Sequence, residues 1–117
     1  MDKKKILIII RLPPQATAAH EAIIKTINNL PTQEISLSAL FFLDSATLVA
    51  LSSKEDSFLN IQQGYLSLST QFDTPLYVCG TALRERGLSR SNLHKKFIIS
   101  GNMELSMLCA SSSIVEF

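Results

Sequence analysis

Five consecutive aliphatic residues, Ile6 to Ile10, constrain the fold of this chain more than any other feature. A strand with one face in water alternates apolar and polar residues, whereas this run has no polar position. Strands of this kind are buried on both faces, as in a parallel sheet whose two sides are covered by helices. We therefore expect a central parallel strand near the start of the chain.

Helical and extended patterns alternate along the rest of the 117 residues. Apolar residues recur three and four positions apart, as on one face of a helix, from Thr17 to Leu30 and again from Phe58 to Phe72. Ser57 or the segment 53–56 is available to cap the second helix, and residues 44–56 otherwise read as a long loop. The other predicted elements are strands at 35–43, 76–79, 97–99 and 114–117, a short helix from 80 to 86 capped by Gly87, and a last helix opened by Ser100 and Gly101.

This alternation predicts an α/β fold: a single three-layer domain over residues 1–117, with a central, mainly parallel sheet of four to five strands flanked by helices. The hydrophobic content is 46%, but no apolar run approaches the length of a membrane span. The first thirty residues show no secretory pattern. We therefore expect a cytoplasmic, reducing location, in which the two cysteines stay unpaired.

The formal net charge is +1, so the overall balance gives no reason to expect direct contact with nucleic acid. The positive charge is nevertheless uneven, because six basic or titratable residues follow within a short stretch after Cys79. One interpretation is an ordinary solvated surface, and the other is a patch that faces an anion or a partner. The six residues are Arg84, Arg86, Arg90, His94, Lys95 and Lys96.

Cys79 raises the question of whether it fills the core or reacts. It ends a predicted strand and stands directly before Gly80, Thr81 and Ala82, which open the next helix. Ligands bind parallel sheets at strand ends that lead into helices, and the unpaired amides of a first helical turn stabilise an anion such as a thiolate. A stabilised thiolate is a nucleophile at neutral pH. Free cysteines are also often simply buried, so a packing role for Cys79 stays open at this point.

Cys109 and the two histidines are assigned structural positions. Cys109 shares a predicted helical face with two leucines, so packing explains it. His20 and His94 belong to no cluster with metal-ligand spacing, and we predict surface positions for both and no metal site. His20 would approach Cys79 if the first and third strands were neighbours, as they are in most such sheets.

No other enzyme signature is present. The sequence lacks the glycine-rich loops that hold nucleotide phosphates, and the turn at Pro13 and Pro14 offers no glycine for close backbone approach. The serine motif of hydrolases is also missing. A small-ligand or nucleotide binder that uses the strand-end crevice is kept as a third interpretation. A thiolate that takes over a sulfur atom is the most economical chemistry for these residues.

A family resemblance is carried by several segments that occur in order along the chain. They are KKILIII, SALFFLD, LYVCGTALRERGL with Cys79 and Gly87, SRSNL, and the ending FIISGNMELSMLCASSSIVEF. With these segments the chain resembles the DsrE/TusD group of small sulfur-relay proteins over nearly its whole length. It departs from that group in the loop RLPPQAT, which has no glycine, and at Ser111 to Ser113, where related members often carry an aspartate.

The resemblance implies that Cys79 accepts a persulfide sulfur at the end of a middle strand. The amides that follow it would stabilise the charged sulfur. The two nearest arginines would add positive potential or bind the donor, unless they are only helix-surface residues. The residues expected to assist Cys79 are Gly80, Thr81, Ala82, Arg84 and Arg86.

The expected function is a sulfur carrier that needs no cofactor and passes sulfur from a donor protein to an acceptor protein. By resemblance, the route leads to tRNA 2-thiouridine or serves sulfur oxidation, and the chain assembles with identical or paralogous chains as a trimer or hexamer. Apolar contacts for assembly would come from Phe58, Tyr65 and Phe72 if the core does not use them. No membrane contact is expected. The alternative is a non-catalytic subunit with a buried Cys79 that holds active paralogues together.

Overall fold

The aliphatic run near the start of the chain forms the buried strand β1 (Lys4–Ile10), as the sequence predicts. The computed structural model describes residues 3–52 and 56–117. The other strands are β2 (Ile35–Phe42), β3 (Leu76–Cys79), β4 (Phe97–Ser100) and β5 (Ser113–Glu116), and the α-helices are α1 (Thr17–Asn28), α2 (Asp56–Phe72), α3 (Gly80–Glu85) and α4 (Asn102–Ser111).

The five strands form one parallel sheet in the order β4-β3-β2-β1-β5. The prediction of an α/β fold around a parallel sheet is therefore confirmed. The expectation that the first and third strands are adjacent is wrong, because β2 lies between β1 and β3. No helix in the described ranges is long and apolar enough to cross a membrane.

The two faces of the sheet are covered unequally. From β1 to β4 each strand is added on the same side of the one before it, and α1, α2 and α3 contribute buried side chains to one hydrophobic cluster. This follows from right-handed crossovers, which place successive helices on one face when strands are added in one direction. After β4 the chain returns across the whole sheet to β5, and α4 packs on the opposite face. We call these the three-helix face and the one-helix face.

The one-helix face is too wide for its single helix. An α-helix such as α4 is about 10–12 Å in diameter when its side chains are included. Five strands spaced ~4.8 Å apart are about 19 Å across, measured between the outermost backbones. None of the α4 residues is buried, and Ile98 and Ile114, on the two edge strands, stay 48% and 49% exposed. The predicted cover on both faces is therefore less complete on this face. On the three-helix face, Ile99 and Val115 of the same edge strands are still 39% and 38% exposed.

The segment predicted as a long loop contains a 3₁₀ helix, Asp44–Ala50, and this part of the prediction is wrong. Its small and apolar side chains explain the difference, because Ala46, Val49 and Ala50 are buried against the three-helix face. Residues 53–55 lie outside the described ranges, and the predicted cap of the second helix falls largely on them.

His20 is fully buried, so the prediction of a surface position is wrong. Its Nε2 atom lies 3.0 Å from the carbonyl oxygen of Pro13 and 3.2 Å from that of Leu12. A nitrogen that faces two acceptors must carry the proton, so Nδ1 accepts the hydrogen bond from the Tyr65 hydroxyl at 2.7 Å. Burial raises the pKa of Tyr65 and keeps the phenol protonated as a donor. His20 thus ties the turn after β1 to α2.

This buried bond generates a prediction about stability. Tyr65→Phe should lower the free energy of unfolding by about 1–3 kcal/mol, because it leaves Nδ1 of His20 buried without a donor. Urea unfolding of Tyr65→Phe, His20→Leu and the double variant measures the coupling between the two positions. We expect Tyr65→Phe to cost clearly less in the His20→Leu background. Equal costs in both backgrounds would show that the bond contributes nothing specific.

Candidate functional site

Cys79 lies at the carboxyl end of β3, in the interior of the sheet, between β2 and β4. Its strand partner is Ser100, the last residue of β4. The thiol is free and half-buried, and it packs against the hydrophobic cluster of the one-helix face. The packing role and the reactive role considered for Cys79 are thus both compatible with its position, since the side chain contacts the core and is also partly exposed at the end of the strand.

Cys79 is also the N-cap residue of α3, with extended backbone angles of φ −69° and ψ 118°. Its side chain makes no capping hydrogen bond to the first-turn amides. The helix has six residues and stops where predicted, since Gly87 adopts the left-handed conformation with φ 68° that ends many helices. An α3 of this length contributes a small dipole, so a charged sulfur depends on further groups.

Gly80 allows α3 and β4 to approach each other closely beside Cys79. A Cβ atom at this position would lie 3.1 Å from Cγ2 of Ile99 and 3.5 Å from the backbone oxygen of Ser100. Gly80 itself is buried, whereas Ile99 remains 39% exposed. A larger residue at position 80 would push the end of β4 away from the thiol.

Arg84 folds back toward the start of α3. Its Nη2 atom donates a hydrogen bond to Oγ1 of Thr81 at 3.2 Å. Its Nη1 atom lies 3.5 Å from the position that a Gly80 Cβ would occupy. The guanidinium group therefore lies over the residue that directly follows Cys79, and it brings the positive charge that the short helix lacks.

Arg86 does not join this arrangement. Its Nη1 atom donates to the backbone oxygen of Ala82 at 3.1 Å, and the Ala82 side chain is buried among core residues. The structure thus brings together four of the predicted site residues: Cys79, Gly80, Thr81 and Arg84. Ala82 and Arg86 instead stabilise α3 through core packing and a hydrogen bond to its backbone.

The remaining basic residues after Cys79 do not form one patch with Arg84. Arg90 donates to the backbone oxygen of Lys95 at 2.9 Å and to that of His94 at 3.4 Å, and so holds the turn before β4. Lys95 and Lys96 precede β4 and line a cleft of about 580 Å³ beside Asp73. This cleft lies at the amino ends of the strands, whereas Cys79 lies at a carboxyl end. The structure therefore does not bring the basic residues after Cys79 together in a single anion-facing patch.

Three charged residues lie at the carboxyl ends of neighbouring strands, at the same end of the sheet as Cys79. Arg11, after β1, donates through Nη1 to Asp44 at 2.8 Å and through Nε to Glu116, the last residue of β5. The hydrogen bonds to Glu116 and then to Asp44 raise the pKa of Arg11. The side chains are about half exposed, and such surface pairs typically add about 0–1 kcal/mol each. The sequence analysis missed this trio, although Arg11 and Asp44 each directly follow a buried apolar run.

Tyr77 connects the strand of Cys79 to α4. It lies two residues before Cys79 on the one-helix face. Partial burial, followed by the nearby carboxylate of Glu104 in the first turn of α4, raises the pKa of Tyr77. The first turn of α4 therefore lies close to the strand that carries the thiol.

The other predicted chemical residues lie apart from Cys79. His20 is held on the three-helix side by Tyr65, and the condition for its approach to the thiol, adjacent first and third strands, is not met. Cys109 is free and half-buried, and it packs against the one-helix face as predicted. Within residues 3–52 and 56–117, no group of three or more His, Cys, Asp or Glu side chains is arranged to hold a metal ion.

The fold has clear counterparts among solved structures. The YchN protein from E. coli superposes with a TM-score of 0.76 at 24% sequence identity, and the match covers 97% of this chain and 99% of YchN. MTH1491 from Methanobacterium thermoautotrophicum, a protein of unknown function, gives a TM-score of 0.74 at 12% identity and covers 98% of this chain and 100% of its own. Both likenesses concern the fold. Among curated proteins, none matches the sequence.

A protein-family comparison addresses the sequence directly. Residues 4–117 match the DsrE/DsrF-like family, a range that includes every strand and helix described above. The chain therefore belongs to the DsrE/DsrF-like family, whose members are generally sulfur-relay proteins.

Proposed function

We propose that this protein is a sulfur carrier that accepts a persulfide sulfur on Cys79 and passes it to a partner protein. The observation that carries the proposal is the position of Cys79: a free, half-buried thiol at the end of an interior strand, with the Arg84 guanidinium over the next residue. Membership in a family of sulfur-relay proteins supports this use of the thiol.

The transfer requires no oxidant or reductant. The Cys79 thiolate attacks the outer sulfur of a donor persulfide, the donor's sulfur–sulfur bond breaks, and the donor leaves as a thiolate. Cys79 then carries the persulfide. In the second half-reaction an acceptor thiolate attacks the outer sulfur of this persulfide, and the Cys79 thiolate is released. Atoms and charge balance in each step because one thiolate is consumed and one is formed.

Arg84 is proposed to stabilise the anionic sulfur. A thiolate and a persulfide anion are both negative at neutral pH, and a guanidinium strengthens the hydrogen bonds and electrostatic attraction that an anion receives. Thr81 holds the guanidinium in place through its hydroxyl oxygen. The first-turn amides of Gly80 and Ala82 add smaller partial charges.

The proposed partners are a donor protein that bears a persulfide and an acceptor protein with a free thiol. The two destinations that fit this role are the thiolation of tRNA and the oxidation of sulfur compounds, both reached through protein partners in the cytoplasm. Assembly with identical or paralogous family members, as a trimer or hexamer, belongs to the same proposal.

A non-catalytic subunit of a family oligomer is the second candidate function. It is favoured by the contact between Cys79 and the hydrophobic cluster of the one-helix face, and by the exposed apolar residues on that side. The two candidates differ in whether Cys79 reacts in the folded protein.

Sulfur loading separates them. The reduced protein is incubated with a persulfide donor, and its intact mass is read. We expect a gain of about 32 Da, the mass of one transferred sulfur, which Cys79→Ser abolishes and Cys109→Ser leaves unchanged. Wild-type protein that stays unmodified under conditions that load an established relay protein would exclude the carrier.

The two arginines of the α3 segment supply a matched test of charge. Arg84→Ala should slow loading of Cys79 by about tenfold, because it removes the guanidinium that lies over Gly80, the residue after the reacting cysteine. Arg86→Ala removes the same charge from a group that bonds to Ala82, and we expect little change. Loading rates at low and moderate ionic strength provide the measurement, with Arg84→Lys as an intermediate case. Equal effects of the two alanine variants would mean that only the net charge matters.

A further inference from the structure

Ser100 does not perform the capping task that its sequence position predicts. A serine just before a helix usually caps it, and the sequence predicts that Ser100 and Gly101 open the last helix. In the structure Gly101 is the N-cap residue of α4, and no side chain makes a capping hydrogen bond there. Ser100 is instead the last residue of β4, where it is half-buried. Its hydroxyl is therefore available for another partner.

The side chain of Ser100 lies beside that of Cys79. The two residues are cross-strand partners of the parallel strands β4 and β3. Neighbouring strands are ~4.8 Å apart, and residues at the same level of the pleat point to the same face of a sheet. The Cys79 side chain packs on the one-helix face, so the hydroxyl and the thiol share that face at the end of their strands.

The backbone of Ser100 is held on both sides. Gly80 allows α3 to approach the end of β4, since the place of a Gly80 Cβ atom lies 3.5 Å from the backbone oxygen of Ser100. On the other side, the oxygen of Gly101 accepts a hydrogen bond from the Leu105 amide at 3.1 Å, and Leu105 packs against the same cluster as Cys79. The hydroxyl can still turn toward the sulfur, because χ1 of a serine has three staggered positions.

We propose that Ser100 is a further residue of the sulfur site, whose hydroxyl donates a hydrogen bond to the charged sulfur on Cys79. The inference deepens the proposed function and rests on it, since it assigns a donor to the sulfur that Cys79 carries. In the thiolate the bond is made to Sγ. In the persulfide the outer sulfur lies ~2 Å from Sγ, and rotation of the serine follows it. Ser100 keeps its proton throughout, so the balance of the transfer is unchanged.

Ser100 and Arg84 act on the sulfur in different ways. Arg84 is an exposed charge on α3, and salt weakens the attraction between exposed charges. The Ser100 hydroxyl is neutral and half-buried on the opposite face of the sheet from α3. A hydrogen bond to an ionised acceptor is stronger than one between neutral groups, and partial burial strengthens it further. The contribution of Ser100 should therefore persist at an ionic strength that reduces the contribution of Arg84.

The rate of Cys79 alkylation by iodoacetamide as a function of pH tests the proposal. Ser100→Ala should move the midpoint of the profile to higher pH by about one unit, a tenfold change in the equilibrium between thiol and thiolate. Ser100→Thr keeps a hydroxyl and should stay close to wild type. Well above the midpoint, Ser100→Ala should react at least as fast as wild type, because a more basic thiolate is a better nucleophile. Peptide mapping separates Cys79 from Cys109.

Ser38→Ala is the matched control. It removes a hydroxyl from the first half of β2, where Ser38 is bonded to Ser112 at 2.6 Å, and should leave the profile unchanged. The charged and titratable groups around the thiol are the same in all these variants, so the difference between profiles reports the hydroxyl. These groups are Arg84 on α3, Tyr77 on β3, Glu104 on α4, and Arg11 and Asp44 after β1 and β2. Circular dichroism confirms that each variant is folded.

Sulfur loading of the same proteins separates this inference from the proposed function. Ser100→Ala should load more slowly than wild type at neutral pH and at moderate ionic strength. Wild-type protein that does not load would exclude the carrier. Normal loading with an unmoved alkylation profile in Ser100→Ala would overturn the role of Ser100 and leave the carrier intact. A loss of alkylation rate by the same factor at every pH, or equal shifts in Ser100→Thr and Ser100→Ala, would point to altered packing and overturn it as well.

Discussion

The return of the chain across the whole sheet, from β4 at one edge to β5 at the other, is the constraint on which the other features depend. Four strands laid down in one direction with right-handed crossovers place α1, α2 and α3 on one face. The fifth strand is reached through α4, which within the described residues is the one helix packed on the opposite face, and a single helix is narrower than the sheet. The burial of β1, the environment of Cys79 and the exposed side of α4 all follow from this unequal division.

The thiol lies where these two faces and the strand-end edge meet. Its side chain rests on the cluster of the one-helix face, while the residue after it begins a helix that packs on the three-helix face. Gly80 permits that change of side at close range, and Arg84 reaches back over the same point. In the function we propose, the charge that acts on the sulfur comes from Arg84 rather than from the basic segment as a whole.

Local patterns predicted the parts of this fold that depend on neighbouring residues. The aliphatic run specified β1, the β-branched stretch specified β3, and Gly87 specified the end of α3. Contacts between distant segments were not predictable in this way. The burial of His20 depends on a Tyr65 hydroxyl 45 positions away, and no spacing rule reports that pair. The 3₁₀ helix after β2 was missed because its small residues are apolar without helical periodicity. Strand order was missed because periodicity does not report which strands are adjacent.

The central claim is that the position of Cys79 makes its sulfur reactive in the folded protein. Cys109 is an internal standard, since it is also free, half-buried and packed against the same cluster. Alkylation by iodoacetamide, followed by peptide mapping, measures both rates in one sample. The account predicts that native Cys79 reacts about tenfold faster or more, and that the two rates converge when the protein is unfolded in urea. A native Cys79 that reacts no faster than Cys109 would contradict it.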